Sequence, residues 1–301
     1  MNLAIGIQRF YVRCKAKGVS ENTVLTYGYL FNNWIRYCID KGITDIDDID
    51  TDALRNYFVK LQQDGYSSAT IQDVYRSLKA LWHWWEQEDI IQYNPMAKVE
   101  RPKHRQERGR VFTASEIDTM LDYWNKDTFI GLRNYTIIAI LLGTGLRKAE
   151  LLQLKMDDID SESRMMTAFG KGGKYRDVPI SRKLWKIMSV YIKKRNEYVG
   201  KSSGWLIVSR YGGRLTVGGM NKVFADLKRD TAIPARKLSA HTLRRTYATA
   251  FLTNGGNLFV LQEILGHSDI ATTRIYANFT SETRRQQQEE FSPLDNRKWK
   301  I

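Results

Sequence analysis

Helical periodicity runs through the first hundred residues with no strand-like alternation anywhere in them, which restricts this third of the chain to an all-helical unit. Ser20 can cap a helix in which Val24, Tyr27, Phe31, Trp34, Ile35 and Cys38 fall on one stripe, with Gly42 shortly beyond its end. Asp50 or Thr51 opens another, carrying Leu54, Tyr57, Phe58 and Leu61 up to the Asp64-Gly65 break. Ser67 or Ser68 opens the next, whose apolar face is Ile71, Val74, Leu78, Leu81, Trp82 and Trp85, with Arg76, Lys79 and His83 on other faces. Together with residues 3–16 these patterns predict a small helical bundle.

The character of the chain changes after Asn94-Pro95. Residues 98–110 (KVERPKHRQERGR) hold six Lys or Arg, two Glu and no large apolar residue beyond Val99, a basic stretch of net +4. Its composition suits a solvated hinge or a segment laid along phosphates equally well, and in either case it marks a domain boundary. Thr113-Ala-Ser-Glu116 resembles a capping box and starts a larger second domain that continues to about residue 290. The organisation expected is therefore a helical domain over 1–97, a linker over 98–110, a second domain over 111–290 and a tail over 291–301.

Within the second domain the most apolar stretch, Tyr135 to Leu146, is too short to span a bilayer and reads as a buried core helix. It ends in Gly143-Thr-Gly145 and leads into Leu146-Arg147-Lys148-Ala149-Glu150-Leu151. Helical periodicity then stops. Residues 164–169 (RMMTAF) and 175–180 (YRDVPI) are short strand-like runs on either side of Gly170-Lys171-Gly172-Gly173-Lys174, a hairpin with a basic, glycine-rich tip. Helices are expected again over 182–199, 218–229, His241 to about Thr253, and Leu258–Leu265, with a polar helical tail from Thr280 to Glu290.

Composition sets the outer limits. With 43% hydrophobic and 12% aromatic residues the chain can bury a core, so global disorder is excluded. Two isolated cysteines, Cys14 and Cys38, supply neither a disulfide framework nor metal-ligand spacing and point to a reducing, cytoplasmic setting. No apolar run with a small-residue cleavage site follows the N-terminus, so no signal peptide is expected. A net charge of +14 attracts polyanions, with nucleic acid the commonest of them, although surplus lysine also serves solubility.

Several chemistries lack their residues. Metal-dependent DNA cleavage needs clustered carboxylates, and the best candidate, Asp157-Asp158-Ile159-Asp160, follows a helix where acidic residues cap or face solvent. Four histidines and two cysteines scattered along the chain give zinc no ligand set. The Gly170 to Lys174 tip lacks GxxxxGK[ST] and sits between strands, so ATP binding is unsupported.

What remains is cationic and hydrogen-bonding. His241 and Arg244, three apart at a helix start, share a face and can meet one phosphate. Arg147 follows the apolar helix and a Gly-Thr-Gly turn, with Glu150 three residues on to orient it; a structural Arg-Glu pair reads the same way. Leu265-Gly266-His267-Ser268-Asp269 closes one helix at Gly266 and starts another at Ser268, which places His267 in a tight turn. Singly each has an ordinary structural reading, and a lone Tyr such as Tyr276 is usually a core aromatic.

The conjunction is far more specific. TGLR at 144–147, HTLRR at 241–245, LGHSD at 265–269 and Tyr276, nine residues past His267, occur in that order in one domain, and the chain resembles the tyrosine recombinases of the phage integrase family. The resemblance covers nearly the whole chain. It implies a mainly α fold with a small antiparallel β-sheet, in which 1–97 is a helical (SAM-like) core-binding domain and 111–290 the catalytic domain. Arg245 departs from the pattern, since many relatives carry His there, and falls outside the catalytic set. The additional arm-binding domain of some integrases has no room here.

The resemblance further implies attack by tyrosine on a DNA phosphodiester, giving a 3′-phosphotyrosine and a free 5′-hydroxyl with no metal, cofactor or ATP. Arg147 and Arg244 would stabilise the transition-state charge with forked, permanently protonated donors. His241 is the candidate base for Tyr276, whose unperturbed pKa near 10 demands one. Lys171 would protonate the leaving oxygen, with Lys174 as the alternative. His267 would donate to the phosphate, and Glu150 would position Arg147. The implied partner is double-stranded DNA with inverted recognition arms, bound by a homotetramer on synapsed sites that is a monomer in solution, with an accessory or partner recombinase as a further option and no membrane. The polar tail from Thr280, with Phe291 and Leu294, fits a helix passed to a neighbouring subunit. An inactive DNA-binding relative, a type IB topoisomerase and a helix-turn-helix regulator are the rival readings.

Overall fold

The computed structural model describes residues 1–103, 110–170, 173–200, 203–234, 238–277 and 281–292. The chain falls into two compact units, Met1–Glu107 and Arg108–Ile301.

The first unit is helical, as its periodicity requires. Helices α1 (Leu3–Ala16), α2 (Glu21–Asp40), α3 (Thr51–Gln63) and α4 (Ser68–Gln87) each start on a side-chain cap, from Asn2, Ser20, Asp50 and Ser67 respectively. Their apolar stripes meet in one core, in which Phe31, Trp34, Leu54, Leu81 and Trp85 are completely buried. The basic stretch begins on this unit: Val99 is buried in the core, the Tyr75 hydroxyl donates to Val99 O, and Arg101 Nε donates to Gln72 Oε1 at 2.7 Å. Residues 104–109 of that stretch lie outside the described residues.

The second unit opens with the capping box: Thr113 Oγ1 accepts from Glu116 N, and the Glu116 carboxylate accepts from Thr113 N, at the start of α5 (Ala114–Asp122). Its centre is α6 (Phe129–Thr144), apolar on every face and therefore surrounded. Ile137, Ile138, Ile140 and Leu141 are fully buried. After it come α7 (Lys148–Gln153), strands β1 (Ile159–Asp160), β2 (Met165–Phe169) and β3 (Tyr175–Pro179), then α8 (Arg182–Val199), α9 (Val217–Asp230), α10 (Ala240–Thr253), α11 (Leu258–Leu265), α12 (Ile270–Arg274) and α13 (Ser281–Phe291). Helix α6 packs against α8 and α10, and α11 against β3.

The strands form an antiparallel sheet in the order β1-β2-β3, with Met166 opposite Val178 and Phe169 opposite Tyr175. Met166, Ala168 and Val178 face the core. Strand β1 is not legible in the sequence because two residues are too few for alternation to register. The acidic run reads as expected in another respect: Asp158 accepts from Lys155 N and Asp160 from Glu162 N, both as local caps. Helix α12 starts one residue later than the sequence suggests, on Asp269, whose carboxylate accepts from Ala271 N. No helix among the described residues is long and apolar enough to cross a membrane.

Leu141→Ala should lower the unfolding free energy of the second unit by about 2–5 kcal/mol, because it removes side-chain volume where α6 is enclosed. Urea unfolding followed by tryptophan fluorescence and by circular dichroism measures the change.

Candidate active site

The turn after α6 sets the first functional side chain. Gly145 takes φ +65°, and a Cβ there would lie 2.5 Å from Tyr247 Cδ1 and 2.8 Å from Leu265 Cδ2, so only glycine fits. The chain then enters α7 with Arg147 at its N-cap, and Glu150 folds back on it: Arg147 N donates to Glu150 Oε2 at 2.8 Å and Arg147 Nη1 to Glu150 Oε1 at 2.7 Å.

Glu150 is 4% exposed and serves more than one arginine. Arg176, on β3, donates from Nη1 to Oε1 at 2.9 Å and from Nη2 to Oε2 at 2.7 Å, and its Nε donates to Ile264 O at 2.7 Å. Arg244 Nη1 is 4.0 Å from Glu150 Oε2. Burial by itself would raise this carboxyl, but the hydrogen bonds from Arg176 and from the Arg147 backbone and side chain outweigh it and hold Glu150 at about 2. The group is an anion at any physiological pH.

Arg244 reaches across from α10. Its Nη1 donates to Gly145 O and its Nη2 to Leu265 O, each at 2.7 Å, and Nη2 also meets His267 Nε2 at 2.8 Å. A guanidinium has no acceptor, so His267 Nε2 must accept, and the ring proton sits on Nδ1, facing Thr273 Oγ1 at 2.8 Å. Burial, then the Arg244, Arg147 and Arg176 charges, push His267 down to about 4, in agreement with a neutral ring. His241 is lowered by partial desolvation and then by Arg244, Arg245 and Arg147, which leaves it free to accept a proton at neutral pH.

Arg147, His241 and Arg244 line one cavity of about 580 Å³, with Lys148, Asn221 and Lys228 on its walls. Tyr276 joins from the other side of His267. Its ring stacks on the imidazole with centroids 6.2 Å apart, and the Arg245 guanidinium lies 5.7 Å over its face. The tyrosine is 4% exposed, packed with Ala248, Leu252, Leu261 and Leu265. Lys171 lies outside the described residues, and Lys174 is exposed at the hairpin, where its carbonyl accepts from Gly170 N. The structure thus gathers Arg147, Glu150, His241, Arg244, His267 and Tyr276. No group of three or more His, Cys, Asp or Glu that could hold a metal ion occurs among the described residues.

Sequence reasoning passed over Arg176, Thr273 and Arg245. For Arg176 a signal existed: two residues before Val178 on a strand, it shares the inward face. For Arg245 the contact depends on how α10 packs against the residues after α12, and for Thr273 on how the turn holding His267 folds onto α12.

Residues 110–283 match the phage integrase family, and residues 7–89 match the phage integrase N-terminal SAM-like domain. The chain belongs to the phage integrase family of tyrosine recombinases. Among the relatives of this family member is the tyrosine recombinase XerD of Listeria monocytogenes serotype 4b (strain F2365), 28% identical over 281 residues that cover 92% of this chain and 94% of that protein. The tyrosine recombinase XerC of Pseudomonas putida (strain W619) is 29% identical over 261 residues, 86% of each. In fold, the chain is similar to the Tn1549 transposon integrase in complex with transposon right-end DNA, with a TM-score of 0.75 at 24% identity over 97% of this chain and 99% of that one. It is also similar to the XerH recombinase bound to a palindromic difH substrate, with a TM-score of 0.74 at 22% identity over 94% and 84%.

The shift of His267 has a consequence for stability. The unfolded ring takes its proton near the ordinary 6.5, the native ring only near 4, so the native state loses stability as pH falls from 6.5 to 4. His267→Gln retains an acceptor for Arg244 but no titration. Its melting temperature should fall less steeply than the wild type's over that window in differential scanning calorimetry.

Proposed function

We propose that this phage integrase family member cleaves and rejoins DNA strands at specific sites, with Tyr276 as the nucleophile. The observation that carries the reading is a chain of contacts: Arg147 and Arg244 approach one buried carboxylate, Glu150, Arg244 is bonded to His267, and Tyr276 stacks on His267. Arg147, Arg176 and Arg244 bring three positive charges to one negative charge, and the surplus suits a phosphodiester oxygen.

The reaction follows from those roles. Tyr276 Oη attacks phosphorus while His241 takes its proton, the bond to the 5′-oxygen breaks, and Lys171 protonates the leaving oxygen, with Lys174 as the alternative donor. Arg147 and Arg244 hold the non-bridging oxygens, where charge builds in the transition state. The product is a 3′-phosphotyrosine, and attack on it by the 5′-hydroxyl of another strand reverses the chemistry and restores the enzyme. In the free protein His267 Nε2 accepts from Arg244, so its donation to phosphate requires a proton on Nε2 as Arg244 turns to the ligand, either by uptake or by a shift from Nδ1 with the Thr273 hydroxyl then donating to Nδ1. An incoming phosphate favours that uptake by placing negative charge beside the ring.

The same reading assigns the remaining parts. The domains are 1–97 for core-site binding, 98–110 as linker, 111–290 for catalysis and 291–301 as tail. The substrate is double-stranded DNA with inverted arms, synapsed by a homotetramer of subunits that are monomers off DNA, in the cytoplasm, with or without a partner recombinase. Support for the two DNA-contacting domains comes from the separate matches over residues 7–89 and 110–283.

A nicked suicide substrate from the native genomic neighbourhood, incubated with the full chain in EDTA and run on a denaturing gel, should give a covalent adduct. Tyr276→Phe should give none. Arg147→Ala and Arg244→Ala should each slow adduct formation about 10²–10³-fold, as loss of a preorganised transition-state donor does. Specific DNA binding without any adduct would place the chain among binding-only relatives.

A further inference from the structure

Arg147 is the least constrained of the site's arginines. Its side chain is 36% exposed, it stands at the start of a six-residue helix, and among the described residues its one hydrogen-bonded side-chain contact is with Glu150. The placement of its fork is therefore set by the placement of the Glu150 carboxylate. Glu150 in turn is gripped on both oxygens by Arg176, a side chain from a different part of the chain that no motif of the catalytic set includes.

Arg176 is itself immobilised. Its Nε is bonded to Ile264 O, at the end of α11, and its side chain crosses directly over Gly266. A Cβ on Gly266 would come within 2.9 Å of Arg176 Cδ and 3.1 Å of Nε, so the glycine is demanded by this crossing as well as by its φ of +63°. A Cβ added at Gly170, the residue after β2, would lie 3.4 Å from Nη1 of the same guanidinium. One strand arginine is thus seated between two glycines, anchored to a helix end, with its fork matched to both oxygens of a carboxylate.

We propose that Arg176 is a positioning residue for strand cleavage, which through Glu150 aims the Arg147 guanidinium at the scissile phosphate. The proposal rests on the recombinase reading of the site. Arg176 is 11% exposed and turned toward Glu150, and its hydrogen-bonded path to the reaction runs through the carboxylate to Arg147; its charge also acts on His267, which is why Arg147 is removed in the decisive comparison below. A lysine has the charge but not the fork, and would hold one carboxylate oxygen and leave the other to its bond with Arg147 alone.

Single-turnover cleavage of the suicide substrate by the full chain tests this. Arg176→Met should slow adduct formation about 10–100-fold while the DNA concentration giving half the maximal rate stays within about threefold, because an ill-placed donor costs chemistry and not binding. Arg176→Lys, which keeps the charge and guards against a variant that does not fold, should recover part of the rate. The decisive comparison is in an Arg147→Ala background, where adding Arg176→Met should slow the residual reaction less than about twofold, since nothing remains to be aimed. An unchanged rate in Arg176→Met, or the same factor lost with and without Arg147, overturns the proposal and makes Arg176 a structural bond. Absence of any Tyr276 adduct in the wild type overturns the recombinase reading and the proposal with it.

Discussion

The structure of the catalytic unit turns on one buried carboxylate. Glu150, 4% exposed, is approached by Arg147 from its own helix, Arg176 from β3 and Arg244 from α10. Isolated, such a charge would be too costly to bury, and so would the guanidinium of Arg244, which is 3% exposed. Together they satisfy one another, and the number of arginines exceeds what one carboxylate can neutralise. That excess is the functional property: a site stable enough to fold but short of negative charge attracts an anion by electrostatics alone.

The fold is what makes this concentration of charge tolerable. Helix α6, enclosed on all sides, ends at a left-handed glycine whose carbonyl accepts from Arg244, so the apolar core and the cationic site share a boundary one residue thick. The close approach of Tyr247 and Leu265 to Gly145 fixes α10 and the end of α11 against that turn. Arg176 and Arg244, far apart in sequence, are held in place by the backbone carbonyls of Gly145, Leu265 and Ile264, which do not titrate. Positions defined by backbone groups stay put when the protonation of neighbouring side chains changes.

Much of this was legible in the sequence, and the reason is local. Helix starts at Ser20, Asp50, Ser67 and Thr113 are written in a few adjacent residues, as is the Gly145 turn that delivers Arg147. The hairpin around Gly170 announces itself by alternation on both sides of a glycine-rich tip. Arg147, His241, Arg244, His267 and Tyr276 stand out only as an ordered series, since each alone has an ordinary structural reading. What escaped is what depends on non-local packing. Arg245 reads as a spare cation until α10 and the residues after α12 come together and set it over the Tyr276 ring. Thr273 reads as one of two helix threonines until the tautomer of His267 depends on it.

The tautomer of His267 ties the arginine site to the tyrosine. Because Arg244 can only donate, its contact with Nε2 removes the proton from the edge of His267 that would face a phosphate, and Thr273 receives it on the opposite edge. The free site is therefore arranged with one arginine engaged by an imidazole, two carbonyls and a distant carboxylate, so a phosphate oxygen must compete with partners already at hydrogen-bond distance. Tyr276 is meanwhile packed in its own small apolar cluster against the same imidazole. Arg244 and Tyr276 thus meet the same ring, His267, the first through a hydrogen bond to Nε2 and the second by stacking on its face.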